Sequence, residues 1–163
     1  MKRFLHLIVL SFLVALDQIT KLAVRINLTD GREITLIPKV LKFVFHKNDG
    51  AVWGIMSGKT ILLTVITILI LILMIWFYFR IPTKRRFFAL QLILIFVAAG
   101  AVGNLMDRIT LGYVTDFIYF ELIDFPVFNV ADCYITVSAF LLVFLVLFFY
   151  KEEEIEKKKK IGK

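Results

Sequence analysis

The sequence predicts an all-α membrane protein: a bundle of four transmembrane helices that carries a small extracytoplasmic β-sheet and loop. Three observations predict it. Of the 163 residues, 60% are hydrophobic and 17 are Phe, and the mean hydropathy of +0.87 is too apolar for an ordinary soluble domain. Four apolar stretches approach the roughly 20 residues that a helix needs to cross a bilayer. Basic residues gather at alternate junctions between those stretches, as the positive-inside rule requires of cytoplasmic flanks. The length suits one domain, 1–163.

The spans are expected at about 4–24, 61–79, 87–106 and 130–150. Helices are expected because they satisfy their own backbone in lipid. Lys2 and Arg3 ahead of the first apolar run also fit a cleavable leader. No small-x-small cleavage site follows, however, and Asp17-Gln-Ile-Thr-Lys21 lies where it would be, so an uncleaved span is predicted. Lys2 and Arg3, the cluster Arg80, Lys84, Arg85 and Arg86, and the six lysines of the tail 151–163 share one side of a four-span chain. Both termini are therefore expected in the cytoplasm. The long outer loop, about 26–58, reads as a small sheet. Alternation over Lys42–His46 and the β-branched run near Glu33–Ile37 predict short strands, and Asn48-Asp49-Gly50 predicts a turn. Tyr113 to Tyr119 is expected to add an extended piece. Lys39 and Lys42, beside aromatics, suit either lipid headgroups or plain solvation.

Several chemistries are excluded. A net charge of +7 in so apolar a chain belongs to membrane flanks, and no nucleic-acid partner is expected. The single cysteine, Cys133, forbids an internal disulfide, and an apolar setting makes it a poor thiolate. His6 and His46 are too far apart in sequence for a zinc motif, and no metal or cofactor is expected.

Polar groups near lipid are costly and point to function. Asp17 and Lys21 lie four apart, in the order that favours a pair on one helix face. Gly100, Gly103, Asn104, Asp107 and Arg108 close the third span. Its small residues allow close helix contact, and Asp107 beside Arg108 suggests an ion-paired anchor. The segment Val114 to Tyr134 holds four acids: Asp116, Glu121, Asp124 and Asp132. Asp132 opens the last span, where a helix-start carboxylate is an ordinary feature. It also suits a dyad, because two close carboxylates share one proton and can activate water. The residues alone leave its partner open among Asp116, Glu121 and Asp124. A proton-coupled transporter would also use such acids, but it more often carries inverted repeats, and none is visible.

The ordered blocks Asp17-x-x-x-Lys21, Asn48-Asp-Gly50-Ala-Val-Trp53-Gly, Gly100-x-x-Gly103-Asn104-x-x-Asp107-Arg108, Val114-x-Asp116-Phe and Phe128-Asn129-x-Ala-Asp132 strongly resemble the bacterial lipoprotein signal peptidases (signal peptidase II). The likeness spans nearly the whole chain. Departures are mild: Val52-Trp53 stands for the usual Ala-Phe, Ala99 for a common glycine and Cys133 for a common serine.

The resemblance implies an aspartic endopeptidase of the bacterial cytoplasmic membrane, inhibited by globomycin, with its active site near the extracytoplasmic face. Its substrate would be a diacylglyceryl-modified prolipoprotein, cut just before the lipidated cysteine. Asp116 and Asp132 become the catalytic pair. Asn48, Gly50, Trp53, Asn104, Arg108 and Asn129 are expected to contact substrate or orient the pair, and Asp17, Lys21 and Asp107 to brace the site. Membrane lipid is the surrounding partner, and a monomer is expected.

Overall fold

The computed structural model describes residues 2–50 and 58–150. The predicted contact of Trp53 and the tail 151–163 lie outside the described residues. The elements follow the apolar pattern: α1 Lys2–Leu28, β1 Ile34–Ile37, β2 Leu41–Asn48, α2 Thr60–Arg80, α3 Phe88–Leu111, β3 Val114–Phe120 and α4 Val130–Phe144. The last runs on into a π-helical turn, Leu145–Tyr150. Among the described residues, four helices are long and apolar enough to cross a membrane. The predicted fold class therefore holds: mostly helical, with a three-stranded sheet.

Helix α3 is the centre of the bundle, and α1, α2 and α4 all pack on it. Glycine makes the tightest approach possible. A Cβ on Gly100 would lie 2.4 Å from the Ala131 carbonyl oxygen of α4 and 2.7 Å from Ile135 Cγ1. Helix α2 buries no residue fully, so it presents its apolar surface to lipid. Large apolar side chains such as Phe12, Ile61 and Phe140 lie on the outside, while the largest fully buried side chains include Lys21, Asn129, Asp17, Asp107 and Asp116. This distribution suits lipid as solvent, because polar groups gain only by facing one another inside.

Two helices outrun the spans read from hydropathy. Helix α1 continues past residue 24 because its last turns leave lipid for the sheet. Val24 and Leu28 are buried with Phe117 there, and Phe43, Phe45, Ile118 and Val130 pack around them. Helix α3 continues past residue 106 to Leu111 and stops at Gly112, whose φ of 79° gives a left-handed cap with its N–H on the Arg108 carbonyl. Only glycine adopts that conformation without strain.

The sheet has the order β1-β2-β3, all antiparallel. Its third strand comes from the other loop, so the sheet extends beyond the predicted 26–58 and joins both connections at one end of the bundle. In β2 against β3, Phe43 pairs with Ile118 and His46 with Asp116, with an irregularity between them. After β3 the chain folds back. The Phe128 carbonyl accepts from the N–H groups of Phe117 and Ile118 at 2.9 and 2.8 Å, and its own N–H donates to the Ile118 carbonyl at 3.0 Å. Phe128 also stacks on Phe120. This return carries Asn129 and the start of α4 to the side of Asp116.

Candidate active site

The backbone places the acids first. Asp116 sits mid-strand in β3 and is 1% exposed. Asp132 sits in the first turn of α4. The cap residue Asn129 joins them. Its side-chain oxygen accepts from the Asp132 N–H at 3.1 Å, and its backbone N–H donates to Asp132 Oδ2 at 3.1 Å. This is a reciprocal capping box with aspartate in the place of the usual glutamate. Asn129 Nδ2 donates in the other direction to Asp116 Oδ1 at 2.6 Å. One residue thus starts the helix and reaches both carboxylates, Asp116 through its side-chain amide and Asp132 through its backbone N–H.

Further amides close the ring. Asn48, at the end of β2, donates to Asp116 Oδ2 at 2.8 Å, and its own oxygen accepts from the Gly50 N–H at 3.0 Å. The turn read at Asn48-Asp49-Gly50 is therefore an Asx turn that aims the amide. Asn104 donates to Asp132 Oδ1 at 2.8 Å. Its oxygen accepts from Asn129 at 3.1 Å and from Lys21 Nζ at 2.8 Å. Arg108, one helical turn on from Asn104, lies within electrostatic reach of Asp132, Asp116 and Asp107.

Burial, and then the charge of Asp132, push the Asp116 carboxyl up from its ordinary 3.8 to about 7. The amides of Asn48 and Asn129 and the charge of Lys21 pull against that rise. A carboxyl near 7 can hold or release a proton at neutral pH, the property required of an acid–base group.

A second buried cluster lies behind the pair. Lys21 Nζ is 2.9 Å from Asp17 Oδ2 and 3.6 Å from Asp107 Oδ2. Asp17 Oδ1 accepts the Ala131 N–H of α4 at 2.9 Å, and Asp107 Oδ2 accepts the Thr115 N–H of β3 at 2.9 Å. The two acids therefore tie α1 and α3 to the two elements that carry Asp132 and Asp116. The expected Asp107–Arg108 pair is corrected here. Successive helical residues point about 100° apart, and Asp107 faces Lys21 and Arg25 instead, with Arg25 Nη1 at 3.7 Å.

Three members of this cluster were not singled out from the sequence. Gln18 donates to Asp17, Asp107 and the Gly103 carbonyl, and Arg25 donates to the Thr115 hydroxyl at 3.1 Å. The available signal was helical spacing, since Arg25 falls one turn after Lys21. Glu121 and Asp124, left open beside Asp116, lie elsewhere. Glu121 pairs with Lys42 at 3.3 Å, and Asp124 accepts from the Tyr119 hydroxyl at 2.6 Å. Both are exposed.

A buried carboxylate, Asp116, and a half-buried one, Asp132, are thus linked through amides at one end of a helix bundle. Comparison with known proteins identifies the family. The family model for signal peptidase (SPase) II matches residues 9–148. Lipoprotein signal peptidases of Staphylococcus aureus strains JH9 and Newman are each 36% identical over 157 residues, covering 95% of this chain and 93% of theirs. Two solved structures of bacterial membrane enzymes, determined by the in meso method, superpose with TM-scores of 0.79 and 0.77. They are 35% and 36% identical and cover 87% and 88% of this chain, and 87% and 93% of their own. The chain belongs to the signal peptidase II family. It is accordingly a multi-pass protease of the bacterial membrane that takes part in lipoprotein maturation, and the transporter alternative falls away.

Proposed function

We propose that this protein is an aspartic endopeptidase that cuts diacylglyceryl-modified prolipoproteins immediately before the lipidated cysteine, with Asp116 and Asp132 as its catalytic pair. The observation that carries the reading is the bridging of both carboxylates by Asn129. It joins an acid of β3 to an acid at the start of α4 in one polar site.

The chemistry needs one proton on the pair. The ionised carboxylate takes a proton from water as the water oxygen bonds to the scissile carbonyl carbon. The protonated partner hydrogen-bonds the carbonyl oxygen and transfers its proton to it. The tetrahedral intermediate then collapses: one of its hydroxyls gives its proton to the pair, the C–N bond breaks, and the leaving amine takes a proton from the pair, which is left singly protonated again. The products are a signal peptide ending in a carboxylate and a lipoprotein beginning at its lipidated cysteine. Because the two acids titrate together, the starting proton belongs to the pair. The raised Asp116, about 7, supports a singly protonated pair at neutral pH.

Arg108, Asn48 and Gly50 border the pair and are assigned to the substrate backbone or the ester carbonyls of its lipid. Trp53 is assigned to the substrate by family resemblance alone. The arrangement of basic residues supports cytoplasmic termini and an active site at the extracytoplasmic interface, where lipid chains can remain in the bilayer while the peptide reaches water. A monomer suffices, since one chain supplies both acids.

The test offers purified protein a diacylglyceryl-modified prolipoprotein and its unlipidated form. Cleavage of the lipidated form alone, blocked by globomycin, is expected. Asp116→Asn and Asp132→Asn are each expected to lower kcat by at least about a hundredfold. Wild-type turnover by either variant overturns the assignment.

A further inference from the structure

Helices α1 and α2 both pack on α3, and at the end of the bundle away from the sheet a crevice of about 330 Å³ lies among them. Leu10 of α1 and Leu71 of α2 form its walls, and Ala98 of α3 part of its floor. At its polar end stands His6, buried, with Nδ1 2.6 Å from the Tyr78 hydroxyl. The guanidinium of Arg3 lies over the Phe79 ring at 5.0 Å, and Arg80 lies over Trp76 at 4.8 Å.

The charge at this end has one sign. Residues 2–16 and 60–106 contain no Asp or Glu, while Lys2 and Arg3 open the first segment and Arg80, Lys84, Arg85 and Arg86 cluster where α2 turns into α3. An arginine, Arg3, at the polar end of an apolar slot between membrane helices, in segments free of acids, is complementary to an anionic phospholipid. The volume lies at the small end of ligand sites. It suits an extended hydrocarbon chain rather than a peptide helix, which is about 10 Å across. Left empty, the slot would forfeit the dispersion contacts of its lining.

We infer that this crevice binds one anionic phospholipid, with an acyl chain between α1 and α2 against α3 and the phosphate beside Arg3. The His6–Tyr78 pair then meets the glycerol ester region. The lipid adds to the α1–α2 contact that His6 and Tyr78 make, at the opposite end of the bundle from the carboxylates.

Native mass spectrometry of the full chain in detergent, titrated with dioleoyl phosphatidylglycerol or dioleoyl phosphatidylcholine, tests this directly and needs no peptidase activity. One phosphatidylglycerol is expected to remain bound under conditions that strip phosphatidylcholine. Ala98→Phe, which fills the floor, is expected to abolish that retention, and Leu71→Trp to do the same from the α2 wall. Arg3→Gln, at an exposed position that leaves the fold intact, is expected to lower the preference for the anionic lipid about fivefold. Equal retention of the two lipids by the parent protein overturns the inference. So does an unchanged preference in Arg3→Gln, or full retention in a folded Ala98→Phe or Leu71→Trp protein.

Discussion

Asn48 and Lys21 act on the site from opposite sides, and each makes a separate prediction. The Asn48 amide donates to Asp116 and so favours the ionised carboxylate. Asn48→Ala removes that donor, which raises the Asp116 carboxyl further and keeps the pair's proton to higher pH. The alkaline limb of kcat/KM is expected near pH 7 in the parent, where Asp116 titrates, and about one unit higher in Asn48→Ala. A pH–rate profile with an unmoved limb rejects the coupling. Lys21 is a buried cation between two buried acids. Lys21→Met leaves Asp17 and Asp107 with less compensation and is expected to cost about 3–5 kcal/mol. Denaturant titration in micelles measures it, and restoration by Lys21→Arg is not expected, because the enclosed site fits one ammonium.

At the scale of elements, the contact between α3 and α4 sets the position of Asp132. A methyl on Gly100 meets backbone oxygen on α4, which cannot swing aside as a side chain would. Gly100→Ala is therefore expected to force the helices apart, costing about 1–3 kcal/mol and lowering kcat as Asp132 shifts against Asp116. Thermal melting together with turnover measures both effects, and a parent-like melting point with parent-like turnover refutes them. Hydropathy made the spans legible because lipid solvation dictates them residue by residue. It could not place the ends of α1 and α3. Those turns are stabilised by sheet contacts such as Leu28 with Phe117, which depend on the chain meeting itself. Strand β2 was readable from its alternation, but its partner β3 lies more than 60 residues away along the chain. The register that sets His46 opposite Asp116 has no local signature. The pairing of Asp107 was misjudged for a related reason: sequence neighbours diverge around a helix, while Lys21 and Arg25 arrive from another one.

For the whole molecule, the distribution of charge predicts sidedness. Single cysteines placed at Thr83 and at Asp30, in a Cys133→Ser background, are expected to label oppositely with a membrane-impermeant maleimide in intact cells. The Asp30→Cys thiol reacts from outside, and the Thr83→Cys thiol only after permeabilisation. The reverse pattern would invert the proposed orientation. Of the site, the sequence made Asp132 conspicuous through its place beside lipid. Family likeness alone proposed Asp116 over Glu121 and Asp124, and the fold-back at Phe128 had no signature in the sequence. It turns Asn129 toward β3 and leaves the other two acids in solvent.

The capping box of α4 has a consequence beyond stability. Asp132 both holds the Asn129 backbone N–H and, on the proposed chemistry, exchanges protons during cleavage. Each turnover therefore loosens and retightens the first hydrogen bonds of a membrane helix. The reaction has a mechanical echo: peptide amides at residues 129–132 should exchange deuterium faster while the enzyme is working than while it idles, turning the helix start into a built-in gauge of catalysis.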